Sequence, residues 1–344
     1  MNEFQAKLCT FLIKDKKKRD FVRKLVMDKK YYNEIDAKLK ESKVKEVKIC
    51  NHASCRYERL EARKKEIGSR AALDEYLSSY LEPVRKAVQE ELQNVKEVSE
   101  PTNSPMFTMW LQDNPPELVQ MCLDSIKRFY PDIIIITEKN VSDYIDVPNY
   151  MWGKYKDGIL SATQFSDYVR SALLDKYGGI WIDSTYYMLA PIPQFINKIQ
   201  YFVMKNQDNN MISSNFLKFE KNNYIIKTMR IFMEQYWKKE DVLIDYFLFH
   251  LYFMLLTRKD SQCIEMWNKI PYCLNTNPLY IYKMFSQDFD EDVLKYVRQT
   301  SFMYKLTYKD KNAENNPNSW YWYLINQWKK GILLTSALEN APSE

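Results

Sequence analysis

Apolar residues recur at the three-to-four spacing of an amphipathic helix near the start of the chain, at Phe4, Leu8 and Phe11. They recur again at Leu73, Leu77, Leu81, Val84, Val88, Leu92 and Val95. That spacing sets one helix face on a partner and leaves the charged faces to solvent, so residues 1–95 read as largely helical. The stretch Lys96 to Pro105 breaks the period: it is polar and carries Pro101 and Pro105, the marks of a boundary. Two parts follow, a helical extension over 1–100 and a main domain over 101–344.

Beyond the boundary the pattern changes to short apolar runs between helical stretches. Met106 to Trp110 suits a buried strand, and Asn114 ahead of Pro115 and Pro116 reads as a cap and first-turn proline opening a helix to about Phe129. Ile133 to Ile136, four β-branched residues in succession, predict a central parallel strand covered on both faces. A helical stretch ending near Ile145, a loop over 147–162, a helix from Thr163 to Lys176 and a strand from Ile180 to Ile182 complete the series. Strands alternating with helices predict an α/β fold with a mostly parallel sheet flanked by helices. Ligands in such sheets bind beyond the carboxyl ends of the strands, which selects Trp110 to Asp113, Thr137 to Lys139 and Asp183 to Tyr187. Further on, Tyr224 to Trp237 and Ile244 to Leu256 read as apolar helices, and Phe302 to Tyr304 as a strand.

Composition narrows the class. With 344 residues, 46% of them hydrophobic and 15% aromatic, the chain can bury a substantial core and is neither disordered nor low-complexity. The net charge of +5 hides an asymmetry: residues 1–65 hold 20 Lys and Arg against 10 Asp and Glu, and the remainder is slightly acidic. A basic end facing an acidic body suits an anionic surface, either nucleic acid or the cytoplasmic face of a membrane. The six cysteines read as reduced thiols. Cys50, His52 and Cys55 lie close in sequence but lack the second ligand pair of a closed zinc site. The longest apolar run, Tyr246 to Leu256, falls short of the roughly 20 residues that span a bilayer, and no secretory leader is visible.

The chemistry concentrates between Thr163 and Thr185. Asp167 and Arg170 stand three apart on a helix and share a face, and the helix ends at Gly178-Gly179, one of few glycine positions in a chain with only 6. The strand that follows delivers Asp183 at its carboxyl end. Carboxylate, guanidinium and carboxylate thus meet on one rim, where such groups can hold sugar hydroxyls, a ribose or a divalent ion.

The string Ser166-Asp167-x-x-Arg170, followed by Lys176-Tyr-Gly-Gly-Ile-Trp-Ile-Asp183, resembles the capsular polysaccharide synthesis protein family. It is more distantly similar to glycosyltransferase family 32 and the clostridial glucosylating toxins. The resemblance runs from about Met106 to Trp328 and implies a GT-A type fold and a retaining transferase that moves a hexose from a UDP-sugar with Mn2+ or Mg2+. It further implies catalytic roles for Asp167, Arg170 and Asp183, with Asp167 and Arg170 on the donor sugar, Asp183 on ribose or metal, and Trp110 against uracil. Gln112, Tyr177, Gly179 and Ser184 join the donor-binding set. The DxD pattern of the distant relatives reads Asp183-Ser184-Thr185 here, so the second carboxylate is a hydroxyl. Metal ligation is expected from Asp183 and Thr185; either His250 or an acidic group between Asp310 and Glu314 completes the set, or metal dependence is weak.

Lys305 and Lys309 follow a strand and can neutralise a departing diphosphate, and the Asn-rich loop 312–318 beside Trp320 reads as a lid that stacks on the donor. The expected partners are a UDP-sugar, a glycan acceptor carried on a lipid such as undecaprenyl, and an anionic membrane met by the basic extension. That places the chain in the cytoplasm, peripheral to the inner face of the plasma membrane. Nucleic acid is not expected, since residues 1–65 lack interleaved aromatics and any known module motif. Two alternatives stay open: a toxin-like transferase acting on protein, and a catalytically silent nucleotide-sugar binder.

Overall fold

The computed structural model describes residues 70–93, 104–205, 211–270 and 278–335. The basic stretch 1–65, the positions Phe4, Leu8 and Phe11, and four of the six cysteines lie outside them. Two compact units form. One gathers the described part of Met1–Val95 with Pro148–Phe165 and Ile231–Ile264; the other gathers the described parts of Lys96–Val147, Ser166–Arg230 and Glu265–Glu344.

The first unit is helical. Helices α1 (Arg70–Ser78) and α2 (Leu81–Gln93) bury Leu73, Leu77, Val84 and Val88, four of the positions that set the apolar period. Tyr80 meets Phe232 edge-on, and Phe232 stacks on Tyr252 at 3.5 Å between ring centroids. Glu240 is buried and accepts a hydrogen bond from the Tyr76 hydroxyl at 2.5 Å.

The second unit is built on a sheet. Its elements begin with β1 (Met106–Met109), helix α3 (Glu117–Lys127) and β2 (Ile134–Ile136). A short helix, α4 (Asn149–Lys156), belongs to the first unit and occupies part of the expected loop. Pro148 sits at its N-cap with φ −56°, a conformation preset for helix entry. Helix α5 (Ala162–Tyr177) then leads into β3 (Gly179–Ile182), followed by β4 (Tyr186–Met188), β5 (Tyr201–Lys205) and β6 (Ile212–Phe219). Helix α6 (Tyr224–Lys239) begins in this unit and continues into the first, which also holds α7 (Leu248–Lys259); helix α8 (Glu291–Thr300), strand β7 (Met303–Lys305) and helix α9 (Trp320–Lys329) follow in the second.

Among the described residues five strands form one sheet in the order β2-β1-β3-β6-β5. β1 runs parallel to β2 and β3, while β6 runs antiparallel to β3 and β5, so four of the five strands share one direction and the sheet is mostly parallel in that sense, as the sequence predicts. A separate antiparallel ribbon joins β4 to β7 and sets Tyr186 opposite Lys305. The buried apolar residues of this unit form two clusters. One cluster joins Leu118, Met121 and Cys122 to Leu294, Val297, Trp320 and Leu324; another joins Ile180, Ile182, Phe202, Phe216 and Met303.

Two local expectations need correction. The isoleucine run forms an edge strand, not a central one, and Ile134 and Ile135 are only half-buried. Asn114 does not cap α3: it takes φ 56°, a conformation Asn tolerates, and Pro116 holds the N-cap position without a side-chain cap. Strand β6 was not anticipated, because both its faces are buried and Ser213, Ser214 and Lys218 interrupt any apolar signature.

The glycine pair fixes the entry to β3. Gly178 has φ +68° and Gly179 φ +96°, and a Cβ on Gly179 would stand 2.0 Å from the Pro105 carbonyl oxygen, which accepts the Ile180 N–H at 2.9 Å. Nearby, buried Asp175 pairs with Lys227 at 3.0 Å and Arg230 at 2.7 Å, tying α5 to the start of α6. Gly179→Ala is therefore expected to cost about 3 kcal/mol or more, from positive φ and backbone overlap together. Gly153→Ala, in a helix with nothing within 4 Å of the added carbon, should hold or raise stability. Urea midpoints of the two variants check this, and a Gly179→Ala protein as stable as the parent would contradict it.

Candidate functional site

Helix α5, the glycine turn and β3 bring the motif residues together. Asp167 and Arg170 are one helical turn apart, and each is only 4% exposed. Arg170 is held in place on several sides. It donates to the Ser166 carbonyl at 3.1 Å, the Ser166 hydroxyl at 2.7 Å and the Ser214 carbonyl on β6, and its guanidinium lies 4.9 Å from the Trp181 ring centroid. From there it stands 3.5 Å from Asp167 Oδ1 and 3.7 Å from Asp183 Oδ1, a single cation shared by two carboxylates.

Asp183 leaves β3 at its carboxyl end, with its backbone N–H donating to the Asn215 carbonyl at 2.9 Å. Its Oδ1 accepts from the Trp181 indole N–H at 3.0 Å, and its Oδ2 accepts from Lys305 Nζ at 2.9 Å. Lys305 Nζ also donates to the Thr185 hydroxyl. The reach across 122 residues of sequence is set by the β4–β7 ribbon, in which Lys305 pairs with Tyr186 and the Leu306 N–H donates to the Thr185 carbonyl at 2.8 Å.

Charge and burial divide the two carboxylates. Burial pushes the Asp167 carboxyl up to about 6, against the pull of Arg170 and with some help from the Asp183 charge. Burial would also raise Asp183, but Lys305 and Arg170, with hydrogen bonds from Lys305 and Trp181, hold it below the usual carboxylate range. Asp183 is thus held as an anion, and Asp167 titrates at about 6.

The donor set does not fit the divalent ion that the resemblance implies. Such an ion needs free oxygen lone pairs on Asp183 and Thr185. Lys305 Nζ already donates to Asp183 Oδ2 and the Thr185 hydroxyl, and Trp181 donates to Asp183 Oδ1, so a divalent ion at this turn would stand against an ammonium. His250 belongs to the first unit, on α7, with its ring edge-on to Phe247 and Phe249. Among the described residues no group of three or more His, Cys, Asp and Glu can hold a metal ion.

The remaining candidates divide by position. Trp110 and Gln112, at the carboxyl end of β1, line a cavity of about 520 Å³ together with Asp113, Lys127, Ile135 and Thr137. The Trp110 ring meets Tyr308 edge-on at 5.3 Å, and its indole N–H is buried without a partner. Ser184 and Thr185 are buried at the turn after β3. Tyr177 and Gly179 instead sit at the amino end of β3: the Tyr177 hydroxyl donates to the Tyr144 carbonyl at 2.8 Å, and Gly179 packs on Pro105. Lys309 is exposed beside Tyr308. Trp320 is fully buried against Phe289 and Tyr323, so it has no free ring face for a sugar. The Asn-rich segment carries a short helix, Lys311–Asn315, capped by Asp310. The expectation of an aromatic lid through Trp320 is corrected on that ground: the ring is core.

Sequence reasoning missed Trp181, Ser166 and Asn215 as supports of the rim. Trp181 was readable, because residues two apart on a strand share a face, which places its indole beside Asp183. Ser214 and Asn215 were not, because they arrive on β6.

The raised carboxyl of Asp167 gives a pH signature. Its protonated form is favoured by folding, so its contribution to stability is gained as pH falls through about 6 toward the ordinary 3.8, and lost above 6. Asp167→Asn removes this term. The variant's stability relative to the parent should rise by about 2–3 kcal/mol between pH 4 and pH 7, measured by denaturant titration. A difference that does not vary with pH contradicts the reading.

Comparison with known proteins supplies the family. A chain titled "PaToxG Glycosyltransferase" is similar among solved structures, with a TM-score of 0.34 and 13% identity over 56% of this chain and 83% of that one. No curated protein matches. A family profile described as "Capsular polysaccharide synthesis protein" matches residues 58–324, a span that takes in α5, the glycine pair, β3 and Lys305. The chain belongs to the capsular polysaccharide synthesis protein family.

Proposed function

We propose that the protein is a glycosyltransferase that moves a hexose from a UDP-sugar to a hydroxyl of a surface-polysaccharide glycan, with retention at the anomeric carbon. The observation that carries this reading is the buried rim of Asp167, Arg170, Asp183 and Lys305 at the carboxyl end of β3. In the same sheet, the carboxyl ends of β1 and β2 border the 520 Å³ cavity. Uracil fits against Trp110 in that cavity, with Gln112 and Thr137 available for its polar edge. The diphosphate then runs toward β3, where the fixed charges of Arg170 and Lys305 face it. The sugar hydroxyls meet Asp167, whose carboxyl can accept or donate near neutral pH.

In the transfer the acceptor hydroxyl bonds to the anomeric carbon, and the bond from that carbon to the β-phosphate oxygen breaks. The electron pair leaves on UDP, and the acceptor proton passes to a phosphate oxygen of the departing UDP. Preorganised cations stabilise that leaving group because they need not reorient as its charge grows.

The acceptor in this reading is lipid-linked, with undecaprenyl as a carrier. The basic residues 1–65 hold the enzyme at an anionic leaflet, each well-placed Lys or Arg adding on the order of 1 kcal/mol. Among the described residues no helix is long and apolar enough to cross a membrane, and surface attachment requires none. Removal of residues 1–65 should abolish sedimentation with anionic vesicles; unchanged sedimentation contradicts the membrane role.

The transferase reading is tested by measuring UDP release from a panel of UDP-hexoses with the full chain. At least one donor should turn over, and Asp183→Asn should lower kcat/KM by about 100-fold or more. Absence of both turnover and UDP binding would overturn it.

A further inference from the structure

We infer that the ammonium of Lys305 takes the place of a divalent cation, so that this enzyme binds the donor diphosphate without metal. The inference rests on the transferase reading and deepens it. Its basis is geometric. The two oxygens that the Asp183-Ser184-Thr185 turn presents, Asp183 Oδ2 and Thr185 Oγ1, are bridged by one atom, Lys305 Nζ. One cationic atom thus already serves both oxygens.

The chemistry of the site agrees with that placement. A hydroxyl at 185 is a weak ligand for a hard divalent ion, which prefers carboxylates, but a good acceptor for an ammonium. An ammonium has three N–H donors. Asp183 and Thr185 use two, which leaves one for a phosphate oxygen, and the Lys305 side chain is 18% exposed and so reachable from solvent. Arg170 supplies the second positive charge, 3.7 Å from the other oxygen of Asp183. The backbone of Lys305 is anchored, and its ammonium lies over an aromatic ring. Its backbone N–H donates to the Pro278 carbonyl at 2.8 Å, it lies in the β4–β7 ribbon, and its ammonium stands 5.5 Å from the Tyr186 ring centroid. Tyr186 is itself fixed by a hydrogen bond from its hydroxyl to Asn215 Oδ1 at 2.9 Å. A residue tethered in this way behaves as a built-in counter-ion, with a smaller charge than a metal but no binding equilibrium of its own.

The test is calorimetric titration of UDP into the full chain, once with excess EDTA and once with Mn2+. The expected affinities agree within about threefold, a difference under 1 kcal/mol by the affinity scale. Lys305→Met, confirmed as folded by its thermal melt, should weaken UDP binding in EDTA by about tenfold or more. UDP binding that requires Mn2+ in the parent would overturn this inference and leave the transferase reading standing. So would a folded Lys305→Met that binds UDP in EDTA as tightly as the parent. No UDP binding under either condition would overturn the transferase reading and this inference with it. If Lys305→Met does not fold, the comparison of EDTA with Mn2+ in the parent decides the matter.

Discussion

Two carboxylates and two cations, largely withdrawn from water, must neutralise one another at the end of β3. A buried charge without a partner costs several kcal/mol, and even a paired one repays its desolvation only when the remaining donors and acceptors are also satisfied. The second unit meets that requirement with elements distant in sequence. Ser166 and Ser214 hold the Arg170 guanidinium, Trp181 and Lys305 hold the two oxygens of Asp183, and Asn215 holds the backbone of Asp183 and the hydroxyl of Tyr186. Arg170 is the member no other can replace, because its planar fork spans both carboxylates while its ring-facing side rests on Trp181.

Position in the sheet gives this arrangement its use. Parallel strands converge their carboxyl ends on one edge, so the cavity beside Trp110 and the charged rim beside Asp183 are neighbours by topology. The glycine pair makes the edge sharp. Because Gly179 meets the Pro105 carbonyl directly, β3 begins within one residue of the end of α5, and Asp167, Arg170 and Asp183 reach the same rim. The same compression places Tyr177 and Gly179 at the opposite end of the strand, where their role is to shape the turn.

Much of this was legible in the sequence, for identifiable reasons. Helix α5, the glycine break and β3 announce themselves because helical period, turn chemistry and a short apolar run follow one another without a gap. The pairing of Asp167 with Arg170 follows from their spacing alone. What could not be read depends on long-range pairing. Strand β6 is buried on both faces yet carries two Ser, one Asn and one Lys among its eight residues, so it has neither alternation nor an apolar run, and it carries the Ser214 and Asn215 that support the rim. The sequence places Lys305 after a strand, where it can neutralise a diphosphate; it is instead the last residue of β7, and its contact with Asp183 and Thr185 depends on the β4–β7 register. Trp320 looked like a sugar-stacking ring because aromatic clusters look alike in sequence whether they face solvent or core, and burial decides between them.

The central claim is that the rim at the end of β3 is the diphosphate site. The most direct measurement is a crystal structure of the full chain with UDP bound. The account predicts uracil in the cavity beside Trp110 and a phosphate oxygen within hydrogen-bond distance of Lys305 Nζ. A diphosphate placed elsewhere, with Lys305 still engaged only by Asp183 and Thr185, would contradict it.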